Sequence, residues 1–299
     1  MAMRFLACPG QGSQTVGFLT PWIESVSGFK ETLLKLSKAA DRDLVWLGTE
    51  ADEETIKDTS NSQPLIVAAA IATYRSALAD LEISGVVGHS VGEFAAAAIA
   101  GVLSDEDAMA LVTLRANAMA EASLRNSTSM AAVLGGEESD VIARITAAGL
   151  NPANYNGAGQ IVAAGSKAAI DQLIANPPEK ARVIELKVAG AFHTEFMADA
   201  EVKLREAAAL LIPSDPKITL ISNQAGQPVK TGQEFLDLMV SQVSRPVRWD
   251  LCMRTLDAMG VELIELPPAG ALAGLAKRGM TNSSTLALKS PTDLEKIEA

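Results

Sequence analysis

Histidine and cysteine are scarce in this sequence, which has two of each among its 299 residues. Two cysteines, Cys8 and Cys252, do not make a disulfide framework or a zinc site. The histidines, His89 and His193, are too few for the three-histidine site that is common in catalytic zinc enzymes. We therefore expect no metal site, and a reducing compartment, the cytoplasm.

Basic residues, aromatic residues and long apolar runs are also limited. Lys and Arg number 25 against 36 Asp and Glu, which gives a formal net charge of -11, and aromatic residues make up 4% of the chain. Such a chain lacks the basic surface of a nucleic-acid-binding protein. The longest apolar runs, residues 65–72 and 94–103, are shorter than the roughly 20 residues that a membrane-spanning helix needs, so no membrane segment is expected.

Apolar residues, in contrast, are abundant, and they occur in patterns typical of helices and strands. Hydrophobic residues make up 48% and charged residues 20% of the chain, which is typical of a globular protein of one large or two ordinary domains. Apolar patterns and turn residues predict β-strands and α-helices in alternation. The predicted strands are 4–7, 83–87, 217–222 and 261–266, and the predicted helices are 28–39, 64–81, a segment ended by Gly101, one capped by Ser104, 194–211, 233–243 and 249–259.

Between these two groups the pattern changes to strand, helix, two strands, helix and strand. The predicted strands are 130–134, 153–156, 160–164 and 182–188, with helices over 137–148 and 166–175. This order is the ferredoxin-like βαββαβ arrangement. We predict an α/β fold in which a large domain with a mostly parallel sheet, residues 1–127 and 194–299, carries an inserted ferredoxin-like domain, residues 128–193.

Gly88-x-Ser90-x-Gly92 lies between a predicted buried strand and a predicted helix. In that context the pattern is typical of a nucleophile elbow, where a tight turn exposes a serine hydroxyl beside the unpaired N–H groups of a helix. The alternative is a glycine-rich turn in which Ser90 only caps the helix.

A serine nucleophile usually needs a base, and the sequence offers His89 and His193. His89 adjoins Ser90, where successive side chains diverge, so His193 is the candidate by elimination. His193 precedes a predicted helix, whose dipole disfavours the imidazolium form and keeps the ring ready to accept a proton. The alternative is a histidine at a helix start without a chemical role. No histidine follows His193, whereas an ordinary α/β-hydrolase has its histidine near the C-terminal end; a plain esterase or lipase is therefore disfavoured.

Arg115 lies on the apolar face of the helix that follows Ser104, opposite its polar stripe. A buried guanidinium without a partner is costly, so we expect it to meet an anion. Either a protein carboxylate or the carboxylate of a substrate satisfies this expectation.

Six ordered motifs together resemble the malonyl-CoA:acyl carrier protein transacylase family, from the first strand to about Arg278. They are Pro9-Gly-Gln-Gly-Ser-Gln14, Gly88-His-Ser-Val-Gly-Glu93, Arg115, Asn156-Gly-Ala-Gly-Gln160, Gly190-Ala-Phe-His193, and Ser241-Gln242 followed by Pro246-Val-Arg-Trp249. The resemblance implies an α/β-hydrolase-like domain with the ferredoxin-like insertion. Phe94 and Val91 stand where many relatives have Tyr and Leu.

The resemblance also implies a role for each matching residue. Ser90 is the nucleophile and His193 the base, and the backbone N–H groups of Gln11 and Val91 form the oxyanion hole. Arg115 binds the malonyl carboxylate, and the backbone carbonyl of Gln242 orients His193. Further pocket positions are Gln63, His89, Asn156 and Phe192.

The implied reaction is transfer of malonyl from malonyl-CoA to the phosphopantetheine thiol of acyl carrier protein in type II fatty-acid synthesis, by a cytoplasmic monomer without a further cofactor. The Phe192 ring is expected to favour malonyl over methylmalonyl, with leaky selectivity because one methyl group is worth only ~1–3 kcal/mol. Since both partners are anionic, Arg245, Arg248, Lys277 and Arg278 are hypothetical docking residues.

Other functions remain compatible with the residues. The chain could serve a polyketide synthase in trans or a malonate decarboxylase, or hydrolyse thioesters. It could also bind CoA thioesters without catalysis, with Ser90 as a helix cap.

Overall fold

Two β-sheets organise the chain in the computed structural model, which describes residues 3–297. Residues 1, 2, 298 and 299, which the predicted large domain includes, lie outside the described part. The strands are β1 Arg4–Cys8, β2 Gly85–Gly88, β3 Thr128–Gly135, β4 Asn151–Gly157, β5 Gln160–Ser166, β6 Ala181–Glu185, β7 Thr219–Ile221, β8 Glu262–Glu265 and β9 Ser284–Ala287.

α-Helices connect and cover the strands. They are α1 Thr20–Ser25, α2 Phe29–Ala40, α3 Leu44–Thr49, α4 Glu53–Lys57, α5 Thr59–Thr73, α6 Gly92–Ala100, α7 Asp105–Arg125, α8 Glu138–Ala147, α9 Lys167–Ala175, α10 Ala198–Ala208, α11 Gly232–Ser241, α12 Trp249–Met259 and α13 Ala271–Gly279. A π-helical turn, Tyr74–Leu78, continues α5, and 3₁₀ turns cover Glu195–Met197, Gln242–Ser244 and Pro291–Lys296.

The first sheet is parallel and has the strand order β7-β2-β1-β8-β9. Along β1, Leu6 and Cys8 join one hydrophobic core, whereas Phe5 and Ala7 join another. Because successive side chains point to opposite faces of a strand, the sheet is covered on both faces. Each parallel strand ends on the same side as its neighbours, and there the site is built.

The second sheet is antiparallel, with the strand order β4-β5-β3-β6. Helices α8 and α9 contribute Ile145, Ile170 and Leu173 to its separate core. The strand order and the two helices confirm the predicted fold class, a mixed α/β chain with a parallel and a ferredoxin-like antiparallel sheet. The domain boundaries at 127/128 and 193/194 stay a prediction.

A short backbone connection joins β4 to the segment before α12. The N–H of Tyr155 donates to the carbonyl of Val247 at 2.9 Å, and the N–H of Val247 donates to the carbonyl of Ala153 at 2.9 Å. Asn154 and Asn156 of β4 are thereby held beside the ends of the parallel strands, where both line the main cavity.

Several boundaries differ from prediction for local reasons. Helix α5 begins at Thr59, not at Pro64, because the Asp58 side chain accepts the N–H of Ser60 and caps it there. The predicted helix over 194–211 begins as a 3₁₀ turn and ends at Ala208. The sequence pattern missed α1, α3 and α4, which have five or six residues, too few for a helical period, and also α13 and β9, which follow Pro267 and Pro268.

Candidate active site

Ser90 sits on a tight turn between β2 and α6, with a left-handed φ of 52°. The two glycines of the pattern permit a close crossing of strand and helix. A Cβ on Gly88 would lie 2.2 Å from the carbonyl carbon of Gly92, and a Cβ on Gly92 would lie 2.2 Å from the carbonyl oxygen of Cys8. This turn has the geometry predicted for a nucleophile elbow.

The side chains of Ser90 and His193 meet across the cavity. Ser90 Oγ lies 2.7 Å from His193 Nε2, and His193 Nδ1 lies 2.8 Å from the backbone carbonyl oxygen of Gln242. A carbonyl oxygen only accepts, so Nδ1 carries the proton and Nε2 is free to accept the Ser90 hydroxyl proton. The two side chains thus lie at the hydrogen-bond distance that a nucleophile and its general base require.

Burial keeps the His193 ring neutral. Burial, and next the positive charge of Arg115, lower the pKa of His193 to about 3, while the hydrogen bond to Gln242 opposes this fall. The position of His193 before a predicted helix suggested that a helix dipole keeps the ring neutral. That reason was wrong, because His193 precedes a three-residue 3₁₀ turn, Glu195–Met197, and α10 begins only at Ala198.

Arg115 of α7 points into the same cavity and is 1% exposed. Its Nη1 donates to Gln63 Oε1 at 2.6 Å, and Nη2 lies 3.4 Å from Ser90 Oγ and 3.5 Å from Gln242 Oε1. Among the residues that the structure describes, Nε has no hydrogen-bond partner. Within residues 3–297, no carboxylate forms an ion pair with this guanidinium. Of the two anions expected from the sequence, a protein carboxylate or a substrate carboxylate, the first is therefore absent in this range.

The surroundings of Arg115 are neutral or apolar. The Phe94 ring centroid lies 5.8 Å from the guanidinium carbon, and Met119 lines the cavity beside it. Burial lowers the pKa of Arg115 to about 10, and the charge of Glu93 opposes this fall. The guanidinium is therefore still charged at neutral pH and is available to an anion in the cavity.

The two predicted oxyanion donors lie at the cavity wall beside Ser90. Across the described chain, neither the backbone N–H of Gln11 nor that of Val91 has a hydrogen-bond acceptor. The N–H of Ser90 itself is occupied, because it donates to Asn223 Oδ1 at 2.7 Å. Gln11, in the loop after β1, and Val91, in the Ser90 turn, thus each have a backbone N–H without an acceptor in the described part of the chain.

The cavity has a volume of about 450 Å³ and is also lined by the remaining predicted pocket residues, Gln63, His89, Asn156 and Phe192. His89 Nε2 lies 2.9 Å from Asn156 Oδ1, and the His89 ring packs edge-on against Trp249. These contacts turn His89 away from the Ser90 hydroxyl, in agreement with the argument from adjacent side chains.

The four basic residues named from the sequence occupy different environments. Arg278 of α13 is exposed and lines the cavity, and Lys277 and Arg245 are exposed. Arg248 is instead paired with Asp250 at 2.7 Å and lies over the Tyr155 ring. Arg248 is therefore committed to an internal contact, and the other three remain candidates for docking.

Two further polar residues behind Ser90 were missed by the sequence analysis. Asn223, which follows β7, and Glu93, the last residue of the Gly88-His-Ser-Val-Gly-Glu93 motif, are both buried. Glu93 accepts hydrogen bonds from the N–H of Asn223 at 2.7 Å and from Gln242 Nε2. Glu93 was visible as a charged residue in an apolar, Ala-rich helix, whereas Asn223 had no distinguishing pattern around it.

Residues 3–297 contain no group of three or more His, Cys, Asp or Glu side chains placed to hold a metal ion. In the same range, no helix combines the length and the apolar character that crossing a membrane requires.

Comparison with known proteins is consistent along the whole chain. Residues 5–291 match the acyl transferase domain family. The malonyl CoA-acyl carrier protein transacylase of Mycobacterium bovis is 48% identical over 300 residues, with 99% of each chain covered. The crystal structure of MCAT from Mycobacterium tuberculosis has a TM-score of 0.93 at 49% identity and covers 98% of this chain and 99% of that chain.

A further solved structure holds a type II PKS acyl-carrier protein in complex with its malonyl-transacylase. It has a TM-score of 0.92 at 27% identity and covers 99% of this chain and 98% of that chain. The chain belongs to the acyl transferase domain family, in the branch of the malonyl-CoA:acyl carrier protein transacylases.

Proposed function

We propose that the chain transfers a malonyl group from malonyl-CoA to the phosphopantetheine thiol of an acyl carrier protein, for type II fatty-acid synthesis, through a malonyl ester on Ser90. The observation that carries the proposal is the placement of three groups in one cavity. Ser90 Oγ lies 2.7 Å from the neutral His193, and Arg115 lies beside both without a carboxylate partner within the described residues.

In the first half-reaction, Ser90 Oγ attacks the thioester carbonyl carbon while its proton passes to His193 Nε2. The negative charge that forms on the carbonyl oxygen is stabilised by the N–H groups of Gln11 and Val91. The C–S bond then breaks, and the CoA sulfur leaves with the proton that His193 returns. Ser90 now carries the malonyl ester.

In the second half-reaction, the carrier's thiol occupies the position that CoA has left. Its proton passes to His193 Nε2 as the sulfur attacks the ester carbonyl. The C–O bond to Ser90 breaks, Oγ takes the proton back, and malonyl leaves as the carrier thioester. The same base and the same two N–H donors serve both steps, so no further cofactor is needed.

Arg115 selects the substrate by its charge. A guanidinium binds a carboxylate through two parallel hydrogen bonds, and in a buried site these are stronger than in water. Malonyl carries the carboxylate that acetyl lacks. An acyl group without a carboxylate leaves Arg115 unpaired, and this penalty favours malonyl-CoA.

Three further properties belong to this proposal. The partner is an acyl carrier protein, the chain acts as a monomer, and its compartment is the cytoplasm. Both cysteines are buried and unpaired, as expected in a reducing compartment. Residues 128–193 form the inserted domain, whose strand β4 supplies Asn156 to the cavity.

The test is intact mass spectrometry after mixing the protein with malonyl-CoA. We expect a covalent adduct of one malonyl group, its absence in Ser90→Ala, and its loss when a phosphopantetheine-bearing carrier protein is added. An adduct that disappears rapidly with no acceptor thiol indicates a thioester hydrolase. Binding of malonyl-CoA without any adduct indicates a non-catalytic binder and overturns the proposal.

A second candidate is the same transfer in polyketide synthesis, favoured by the similarity to the relative solved with a type II PKS carrier protein. The chemistry and the site are identical in both, and the partner differs. Transfer rates to a fatty-acid carrier protein, a polyketide carrier protein and a malonate decarboxylase carrier, compared at equal concentration, distinguish these settings.

A further inference from the structure

Glu93 lies behind the reacting side chains and does not line the cavity. Its side chain is 1% exposed, and both of its carboxyl oxygens are occupied. Oε1 accepts the backbone N–H of Asn223 at 2.7 Å, and Oε2 accepts from Gln242 Nε2. Asn223 and Gln242 are the two residues that hold the Ser90 turn and the His193 ring in place.

We propose that Glu93 is a positioning residue for acyl transfer: it fixes Asn223 and Gln242, and through them it aligns Ser90, His193 and Arg115. This inference rests on the proposed function of the cavity. Glu93 does not line the cavity, so it acts on the reacting groups through these hydrogen bonds, besides its electrostatic interaction with Arg115.

The first arm of this network runs through Asn223 to the nucleophile. Asn223 Oδ1 accepts the N–H of Ser90 at 2.7 Å, and Asn223 Nδ2 donates to the carbonyl of Gly88. These bonds span the turn in which Ser90 has its left-handed φ of 52°. They also occupy the Ser90 N–H, whereas the N–H of Val91, a cavity-lining residue, has no acceptor within residues 3–297.

The second arm runs through Gln242 to the base and to the substrate-binding cation. The backbone carbonyl of Gln242 accepts from His193 Nδ1 at 2.8 Å. Because Gln242 Nε2 donates to Glu93, the other end of the amide, Oε1, must point towards Arg115, where it lies 3.5 Å from Nη2. One side-chain amide therefore lies between the Glu93 carboxyl group and the Arg115 guanidinium, and it keeps this carboxyl group from occupying Arg115.

The substitution Glu93→Gln tests whether the hydrogen bonds of Glu93 align the reacting groups. It keeps the shape of the side chain but replaces one acceptor oxygen by an NH₂ group, which then faces the N–H of Asn223 or the NH₂ of Gln242. A mismatch of two donors displaces one arm. We expect single-turnover acylation of Ser90 to slow by about tenfold to hundredfold with both malonyl-CoA and acetyl-CoA, because small displacements of reacting groups have effects of this size.

The double variant Glu93→Gln, Gln242→Glu provides the rescue. The amide at position 93 accepts from Asn223 and donates to the carboxylate at position 242, so donor and acceptor match again at this contact, although the 3.3 Å hydrogen bond from Gln242 Nε2 to Asn223 Oδ1 is lost and limits the recovery. The new carboxylate, however, lies against Arg115. We expect acylation by acetyl-CoA to recover, whereas acylation by malonyl-CoA stays slow because Arg115 is now ion-paired.

The matched control uses the other fully buried glutamate of the chain's described part, Glu265, which accepts the N–H groups of Gly270, Leu272 and Ala273 at 2.8–2.9 Å. The double variant Glu265→Gln, Gln242→Glu should not recover the rate of acylation by acetyl-CoA, because Glu265 and Gln242 share no hydrogen bond. Thermal midpoints of all variants separate loss of folding from loss of alignment.

Each outcome decides the inference. The inference is supported if Glu93→Gln unfolds and the double variant folds again. It is also supported if the double variant recovers acylation by acetyl-CoA but not by malonyl-CoA. Wild-type acylation rates in folded Glu93→Gln overturn it, and so does a double variant that recovers neither folding nor acetyl transfer. Failure of the wild-type protein to form any acyl adduct would instead refute the proposed function.

Discussion

The Nδ1–H of His193 donates to the backbone carbonyl oxygen of Gln242 at 2.8 Å. In many serine enzymes an aspartate orients the base, and its charge stabilises the imidazolium. Here the orienting group is a peptide carbonyl, which carries no net charge and cannot be removed by changing a side chain. The base is therefore fixed in position by the end of α11, while its proton affinity is set by burial and by Arg115.

The pH dependence of acylation follows from the low pKa of His193. A histidine with its ordinary pKa of 6.5 would lose half of its basic form at that pH, whereas burial here lowers the pKa to about 3. We expect single-turnover acylation by malonyl-CoA to stay nearly constant from about pH 7 to about pH 5, below the Glu93 pKa that burial raises to about 8. A titration midpoint near pH 6.5 in rapid-quench mass spectrometry would contradict this assignment.

The same shift predicts the direction of the change in stability. The imidazole of the unfolded chain binds a proton near pH 6.5, and that of the folded chain only near pH 3. The unfolded state's imidazole thus binds more protons between these values, so the contribution of His193 to the free energy of unfolding should fall as the pH is lowered through this window. Glu93, whose pKa burial raises to about 8, contributes in the opposite direction. Urea denaturation of wild type and His193→Gln measures it, and the variant should show the smaller pH dependence.

Replacing Arg115 by Ala should separate malonyl-CoA from acetyl-CoA. We expect kcat/KM for malonyl-CoA to fall by about 10- to 150-fold, which corresponds to the roughly 1.5–3 kcal/mol of hydrogen bonds to a charged group. Acetyl-CoA has no carboxylate and should lose much less. Arg115→Lys, which keeps the charge without the planar fork, is the control and should recover only part of the activity. Equal losses with both substrates would indicate a structural role.

Phe192 should limit the size of the acyl group. Its ring lines the cavity next to His193, and Phe192→Ala would open space for an α-methyl group. We expect the ratio of methylmalonyl to malonyl transfer to rise by about 10- to 100-fold, the range of roughly 1–3 kcal/mol for one methyl group. Competition between the two CoA esters measures the ratio directly. Phe192→Leu should give an intermediate ratio. An unchanged ratio in Phe192→Ala would show that other residues of the cavity determine the selectivity.

The glycine at position 92 should be essential for the elbow. In Gly92→Ala the new Cβ would lie 2.2 Å from the carbonyl oxygen of Cys8, which is backbone and cannot rotate away. We expect the free energy of unfolding to fall by about 1–3 kcal/mol or more. Gly274→Ala, whose Cβ would meet only the end of the Arg278 side chain at 3.7 Å, is the matched control and should keep or increase the stability measured by denaturation.

Two exposed cations of α13, Lys277 and the cavity-lining Arg278, should contribute to docking of the acidic carrier. Lys277→Glu and Arg278→Glu are each expected to raise KM for the carrier protein by roughly twofold to fivefold at low salt, and less at high salt. Lys30→Glu on α2, a helix that contributes nothing to the cavity lining, makes the same charge change and should leave KM unaltered. Equal effects of all three substitutions would show that only net charge matters.

Local patterns in the sequence predicted the fold class and singled out three residues that line the cavity, Ser90, His193 and Arg115. Apolar periodicity and turn residues predicted both sheets, because buried strands and helices must present apolar faces at the spacing of their own geometry. Short helices such as α3 were missed, since five or six residues do not complete enough turns to show a period. The scarcity of histidine directed attention to His193, which the structure places 2.7 Å from Ser90.

The tertiary structure decided what no local pattern contains: which partners each side chain has. Helix periodicity indicated that Arg115 is buried, but only the packing of α5, α6 and α7 shows that its neighbours are Gln63 and Phe94 and that no carboxylate of residues 3–297 pairs with it. Asn223 and Glu93 are 130 residues apart in the chain and meet because β7 lies beside β2. Hydrogen bonding and desolvation depend on distances of a few ångströms, and those distances are set by the folded chain as a whole.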